Sequence, residues 1–251
     1  VREVHLDIDR DWALDTAALD EAVTAETKMI CVCNPNNPTG RIMTEAEMDA
    51  VVAAAERSGA WLLADEVYRG AEREREEETP SFYGRYDKVL AQGSMSKAYG
   101  LPGLRVGWTV GPADAVASMW RRHEYTTITV TMLSNHLTAT ALSPTVRPRI
   151  LARTRQMLKG GYGLLGEWLS EQEGVFSGRA PDAAAIAFLR YDLDINSSAW
   201  MERLRDERSV LIVPGDHFGL DRHIRLSFAV PEPELVEGLG RIGASVGELR
   251  R

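Results

Sequence analysis

Between residues 28 and 111 the chain alternates short apolar runs with polar or helix-forming stretches. KMICVC (28–33), WLLAD (61–65), KVLAQG (88–93) and RVGWTVG (105–111) each end abruptly in turn or charged residues. Brief apolar runs separated by helices are the pattern of parallel strands buried on both faces in βαβ units. The first two runs bracket TEAEMDAVVAAAER, where Thr44 and Glu47 stand at capping-box spacing ahead of an alanine-rich helix that stops near Gly59. Upstream, VREVHLDI alternates as a strand does, and Leu19, Ala22 and Val23 recur at helical spacing in DTAALDEAVTAET.

From about Pro112 the texture changes to long helical segments: ADAVASMWRRHEY, NHLTATAL and TVRPRILARTRQMLKGGYGLLGEWL. The last is long and amphipathic, with Gly160, Gly161 and Gly163 as expected bend points, and reads as the passage into a second unit. VFSG, AAIAFLRY, SVLIVPG and HIRLSFA follow as candidate strands, with SSAWMERLRDE and EPELVEGLGRIGASVGEL as helices. The expected fold is α/β: a three-layer sheet of mostly parallel strands over 1–145, then an interdomain helix and a smaller α/β domain over 146–251.

Composition narrows the classes of function. With 29 basic against 37 acidic residues the net charge is −8, which argues against nucleic acid or an anionic membrane as the main partner. Any bound anion must then be held by local groups. No apolar run approaches the roughly 18 residues of a membrane span, and no charged-then-apolar leader follows Val1, so a cytoplasmic protein is expected. Val1 begins within a strand-like segment, as though an upstream part had been removed. Cys31 and Cys33, two apart on one strand face, are too far apart to pair and read as small core hydrophobes in a reducing compartment. The acidic stretch AEREREEETP (71–80) reads as a solvated loop or frayed helix without chemistry.

In open α/β sheets ligands bind beyond the carboxyl ends of the strands, so polar residues that end the apolar runs are the candidates for chemistry. Four such positions stand out: Asn34 to Gly40 (NPNNPTG), Asp65 to Tyr68 (DEVY), Ser94 to Lys97 (SMSK), and Arg225 within HIRLSFA. Each alone has a bland explanation. NPNNPTG is ordinary turn chemistry, a strand-terminal Asp is often a loop cap, and a strand arginine is often solvated.

In this order and at these distances the four resemble the fold-type I pyridoxal-phosphate enzymes, specifically the class I/II aminotransferases, from about Val1 to the final helix. The resemblance implies pyridoxal 5′-phosphate as cofactor and transfer of an amino group between an amino acid and a 2-oxo acid. Lys97 in GSMSKAYGLPG matches the family's Schiff-base lysine, which also moves a proton between substrate Cα and C4′. Asp65 matches the aspartate that keeps the pyridine nitrogen protonated. Asn37 and Tyr68 match the two donors to the ring oxygen. Ser94, Ser96 and Arg105, eight positions after Lys97, match the phosphate site, where a guanidinium fork suits the dianion. Arg225 matches the arginine that pairs with the substrate α-carboxylate, beside Asn37. Glu66, Asn34 and Asn36 read as structural, and no metal is expected.

Only 36 residues precede Asn37, whereas the family's glycine-containing phosphate loop and ring-stacking aromatic lie farther upstream, so the chain is expected to lack the family's N-terminal part. The resemblance also implies a homodimer. The same motifs serve other chemistry in this fold: a C–S lyase, or cyclisation or oxidation of an arginine-type amino acid. A third class, a non-catalytic effector-binding domain, is disfavoured because every cofactor residue is retained and no basic helix-turn-helix pattern is present. His123, Glu124, Tyr125, His217 and Phe218 fall where a substrate could approach but read equally well as helix surface or loop.

Overall fold

The computed structural model describes residues 1–172 and 174–251. It begins with two short antiparallel strands, β1 (Leu6–Asp7) and β2 (Ala13–Leu14), followed by α1 (Thr16–Ala22). Then come β3 (Met29–Cys33), α2 (Glu45–Ser58), β4 (Trp61–Asp65), β5 (Val89–Ser94) and β6 (Gly107–Val110). The helices α3 (Ala113–His123), α4 (Met132–Ala141) and α5 (Arg147–Glu171) lead to β7 (Phe176–Ser177), β8 (Ile186–Tyr191), α6 (Ser197–Arg208), β9 (Val213–Pro214), β10 (His223–Ser227) and α7 (Glu232–Leu249).

The first sheet has the order β3-β4-β5-β6. The first three strands are parallel as the apolar runs predict, but β6 is antiparallel to β5, and no α-helical crossover intervenes in the 95–106 connection. The second sheet, β7-β8-β10-β9, is antiparallel throughout. VREVHLDI contributes only the two residues of β1, a shorter strand than its alternation suggests.

The capping box is present: Thr44 Oγ1 accepts from Glu47 N at 3.2 Å, Glu47 Oε2 accepts from Thr44 N at 2.7 Å, and α2 ends at Gly59 with φ 67°. Met48, Val51, Ala54 and Ala55 of α2 are fully buried and form one core with Leu62, Ala64 and Val89 of the sheet. The cysteines do not join it. Cys31 is exposed and Cys33 only partly buried, because both point to the sheet face opposite α2.

The second core runs from the large sheet into the second unit, combining Met95, Tyr99 and Val106 with Leu151, Leu158 and Leu165 of α5 and with Trp200, Ile224 and Phe228. The glycines expected to bend α5 do not interrupt it. A Cβ on Gly161 would lie 2.0 Å from the Phe228 carbonyl oxygen, so that position serves close packing of helix on sheet. No helix among the described residues is long and apolar enough to cross a membrane.

Candidate active site

The parallel register sets Cys33 beside Asp65 and Asp65 beside Gln92, so the loops after β3, β4 and β5 all leave one edge of the sheet. Backbone bonds then tie them together. Asn34 N donates to Asp65 O at 3.0 Å, and Ala98 N, next to Lys97, donates to Val67 O at 3.3 Å. The Asp65 carboxylate closes its own turn by accepting from Val67 N at 3.1 Å. Glu66, one residue past Asp65, points away from this edge and is buried with Ser81 Oγ and Phe82 N as donors.

After β5 the chain makes a tight turn in which Ser96 N donates to Ser94 Oγ at 3.0 Å and Gly100 N to Lys97 O at 3.0 Å. Lys97 is exposed at the crest of this turn, between the buried Met95 and Ala98. Arg105 has φ 53°, a left-handed conformation uncommon for a residue with a side chain, and its Nη1 donates to Ser96 Oγ at 3.4 Å and to Pro102 O at 2.9 Å. Two hydroxyls and a guanidinium thus cluster beside the lysine.

NPNNPTG forms a compact loop containing two cis peptide bonds, Asn34–Pro35 and Asn37–Pro38. Gly40 anchors it. With φ 67° and a would-be Cβ 2.4 Å from Pro181 Cβ and 2.6 Å from Ala183 O, it admits no side chain, and its carbonyl accepts from Asp182 N and Ala183 N at 3.0 and 2.9 Å. Asn34 and Asn36 satisfy local backbone, through Met43 N and Thr39 N respectively.

Asn37 is bridged from the second unit: Arg225 Nη1 on β10 donates to Asn37 Oδ1 at 2.8 Å. Because that oxygen is engaged, the amide NH₂ of Asn37 is left as a donor. Tyr68 stands in the same electrostatic neighbourhood as Cys33, Arg225 and Asp65. Burial first, then Cys33 and Asp65, raise its phenol above the ordinary value, while Arg225 opposes them. Tyr68 is therefore a neutral O–H donor at pH 7. Burial, followed by the Asp65 charge, pushes the Cys33 thiol up to about 12, so it remains an inert thiol.

Asp65, Tyr68, Asn37 and Arg225 are thereby brought into one neighbourhood, and the Ser94–Lys97 turn with Arg105 is joined to it through the Ala98–Val67 bond. A cleft of about 320 Å³ bordered by Glu66, Gln92, Tyr99 and Trp108 touches only Ser94 among these candidates and lies off the site.

Phe218, which the sequence left open between a substrate-side position and an ordinary loop residue, places its ring 5.5 Å from the Arg225 guanidinium. The acidic stretch is not a solvated loop throughout. Glu72 is fully buried and accepts from Gly70 N, Thr79 N and Arg155 Nη2, and Glu78 takes both nitrogens of the Arg147 fork at 2.6 and 2.8 Å. The alternation of Glu and Arg hid which carboxylates turn inward.

An amine just past β5 with two hydroxyls and a guanidinium beside it, and a carboxylate at the end of β4, share one edge of the sheet, an arrangement suited to a cofactor-holding α/β protein. The chain belongs to the aminotransferase class I and II family, whose model matches residues 1–242. Pyridoxal 5′-phosphate is the cofactor of that class, and the donor set fits it: an amine for the aldehyde, a carboxylate for the pyridine nitrogen, hydroxyls and a guanidinium for the phosphate.

The chain is 30% identical to capreomycidine synthase of Streptomyces vinaceus over 94% of its length and 60% of that protein's. It is 26% identical to an aspartate aminotransferase of Streptomyces avermitilis over 99% of its length and 63% of that protein's. A PLP-dependent aminotransferase from Streptococcus suis superposes with a TM-score of 0.90 at 31% identity, covering 98% of this chain and 64% of that one. The chain thus spans about three-fifths of the length of these relatives.

Proposed function

We propose that this protein transfers an amino group between an amino acid and a 2-oxo acid. The observation that carries the reading is the 2.8 Å bond from Arg225 to Asn37, which brings a guanidinium of the second unit to the edge where the Asp65 and Tyr68 loops emerge. When bound, pyridoxal phosphate supplies an electron sink for the substrate's Cα electron pair. Asp65 holds the proton on the pyridine nitrogen. Tyr68 Oη and the Asn37 amide NH₂ donate to the ring oxygen, and Ser94, Ser96 and Arg105 hold the phosphate. The Lys97 Nζ would anchor the cofactor and, as a free amine, would accept the proton from substrate Cα. Arg225 holds the substrate α-carboxylate as a fork, with Phe218 supporting the guanidinium plane.

Residues 1–145 then form the cofactor domain and 146–251 the interdomain helix and the domain that presents Arg225. The test is a donor screen: amino acids supplied with 2-oxoglutarate or pyruvate should yield the corresponding new amino acid. Arg225→Gln should raise KM for both substrates by at least about tenfold, since a lost charge-assisted bond is worth roughly 1.5–3 kcal/mol. An unchanged KM would remove Arg225 from the site. A second reading is other chemistry of the same fold, such as cyclisation of an arginine-type amino acid, which would consume its substrate without any 2-oxo acid; it is kept because a relative at 30% identity is named a synthase rather than an aminotransferase.

The quaternary state we propose is a cytoplasmic homodimer. Around α3 and α4 the protein exposes Trp120 (62%), Tyr125 (90%), Ile128 (71%), Met132 (88%) and Leu133 (69%), an apolar concentration that a second copy would cover. Both cysteines are free thiols, in keeping with a reducing compartment. Light scattering should return twice the monomer mass, and the pair Met132→Asp and Leu133→Asp should halve it. A monomer in the unaltered protein at micromolar concentration contradicts this assembly.

A further inference from the structure

A second cleft, of about 300 Å³, lies between the turn after β1 and the β8–β10 pair. Its polar groups sit on the sheet face that carries Arg225: His223 pairs with Arg190 in register, and Arg225 with Phe188 two positions on. The rings of Trp12 and Phe188 wall it, with centroids 5.6 Å apart. Asp9 and Asp11, from the turn after β1, also line it.

The groups lining this cleft are unevenly satisfied. Arg179 borders it but is already held by both carboxylate oxygens of Asp182, at 2.7 and 3.0 Å. Among the described residues Arg190, Asp9 and Asp11 enter no ion pair. His223 is 94% buried, and its Nδ1 lies 2.9 Å from the Asp221 carbonyl oxygen. A carbonyl oxygen only accepts, so Nδ1 carries the proton and Nε2 presents a bare lone pair. That Nε2 is buried without a partner. Burial, against the Asp221 bond and with Arg190 nearby, holds the ring below the ordinary imidazole value, so the lone pair is present at neutral pH. A buried acceptor left bare is a cost that a donor on a ligand removes.

We propose that this cleft is a second small-molecule site, for a basic L-amino acid. Its carboxylate pairs with the Arg190 guanidinium, its cationic N–H groups meet Asp9, Asp11 and the His223 Nε2, and its aliphatic stem lies along Trp12 and Phe188. The size fits one such molecule, at the lower end of the roughly 300–1,000 Å³ of small-molecule sites. The charge fits as well: one unpaired guanidinium against two unpaired carboxylates complements a ligand with two cationic groups and one anionic group. An acidic amino acid meets two like charges there. Neither Lys97 nor any other candidate cofactor residue lines this cleft, and the proposal does not depend on what reaction the protein performs.

The test is calorimetric titration of L-arginine and L-lysine, with L-leucine and L-glutamate as controls, into Arg225→Gln protein, where the carboxylate fork of the first site is gone. At least one basic amino acid should bind, with both controls at least tenfold weaker. Adding Arg190→Gln should weaken binding at least tenfold, and adding His223→Phe should weaken it in the same direction. Circular dichroism checks that each variant is folded. Should Arg225→Gln not fold, the same titration in the unaltered protein should resolve a binding step that Arg190→Gln removes. Absence of binding by both basic amino acids, equal binding of glutamate, or an affinity indifferent to Arg190→Gln would overturn the proposal.

Discussion

Lys97→Ala should leave the fold intact and lower amino transfer by about 10²–10⁴-fold, the range expected when a positioned proton-transfer group is lost, together with loss of the covalently held cofactor. The fold should survive because Lys97 is exposed on its turn and makes no side-chain hydrogen bond or ion pair among the described residues; Met95, Ala98 and the bonds at Val67 and Met95 hold the turn in place. No other lysine can substitute. The chain has four, and Lys28 and Lys88 precede β3 and β5, at the edge of the sheet opposite the site, while Lys159 lies within α5. Lys88 Nζ is moreover bound to the Gly59 carbonyl at 2.8 Å. Unaltered circular dichroism with turnover lowered by at least about a hundredfold is the expected pair of results; turnover within a factor of about ten of the unaltered protein contradicts the assignment.

The largest expected effect on stability is at Glu72. Its carboxylate is fully buried and serves four donors: Gly70 N, Thr79 N, Thr79 Oγ1 and Arg155 Nη2. Removing one member of a buried pair strands the other, at a cost of roughly 3–5 kcal/mol, which for a chain of this size lowers the thermal midpoint by roughly 6–20 °C. Glu72→Ala should show that fall by calorimetry. Glu72→Met combined with Arg155→Met, which removes both charges, should recover a substantial part of it.

Although burial pushes the Glu72 carboxyl up, the bonds from Thr79, Gly70 and Arg155 outweigh it, so the folded value lies below the ordinary 4.5. A depressed carboxylate contributes stability that is complete above its unfolded value and is lost as pH falls through the folded one. Glu78, held chiefly by the Arg147 fork, is depressed as well. Acid unfolding should therefore steepen below about pH 4.5, and Glu72→Ala should flatten it.

That the candidate residues would gather at one edge of the sheet was legible because their motifs are written in contiguous residues. NPNNPTG, DEVY and SMSK each end an apolar run, and parallel register alone carries Asp65 and Ser94 to one edge. Thr44, Glu47 and Gly59 marked α2 for the same reason, since a capping box is a four-residue device. What escaped depends on tertiary contact. β6 runs antiparallel to β5 because no α-helical crossover separates them, Gly161 answers to a carbonyl 67 residues away, and α5 brings Arg155 to Glu72 to complete the donors that Gly70 and Thr79 supply. Cys31 and Cys33 show the limit of reading burial from hydropathy. A strand has two faces, and theirs is the one that α2 does not cover.

The central claim is that one amine of this chain holds the vitamin B6 cofactor. Incubation with pyridoxal phosphate, reduction with borohydride, proteolysis and mass spectrometry locate that amine directly. The account predicts a single modified peptide, spanning GSMSKAYG, with the added mass on Lys97. Modification centred on Lys28, Lys88 or Lys159, or spread evenly over all four lysines, would contradict it.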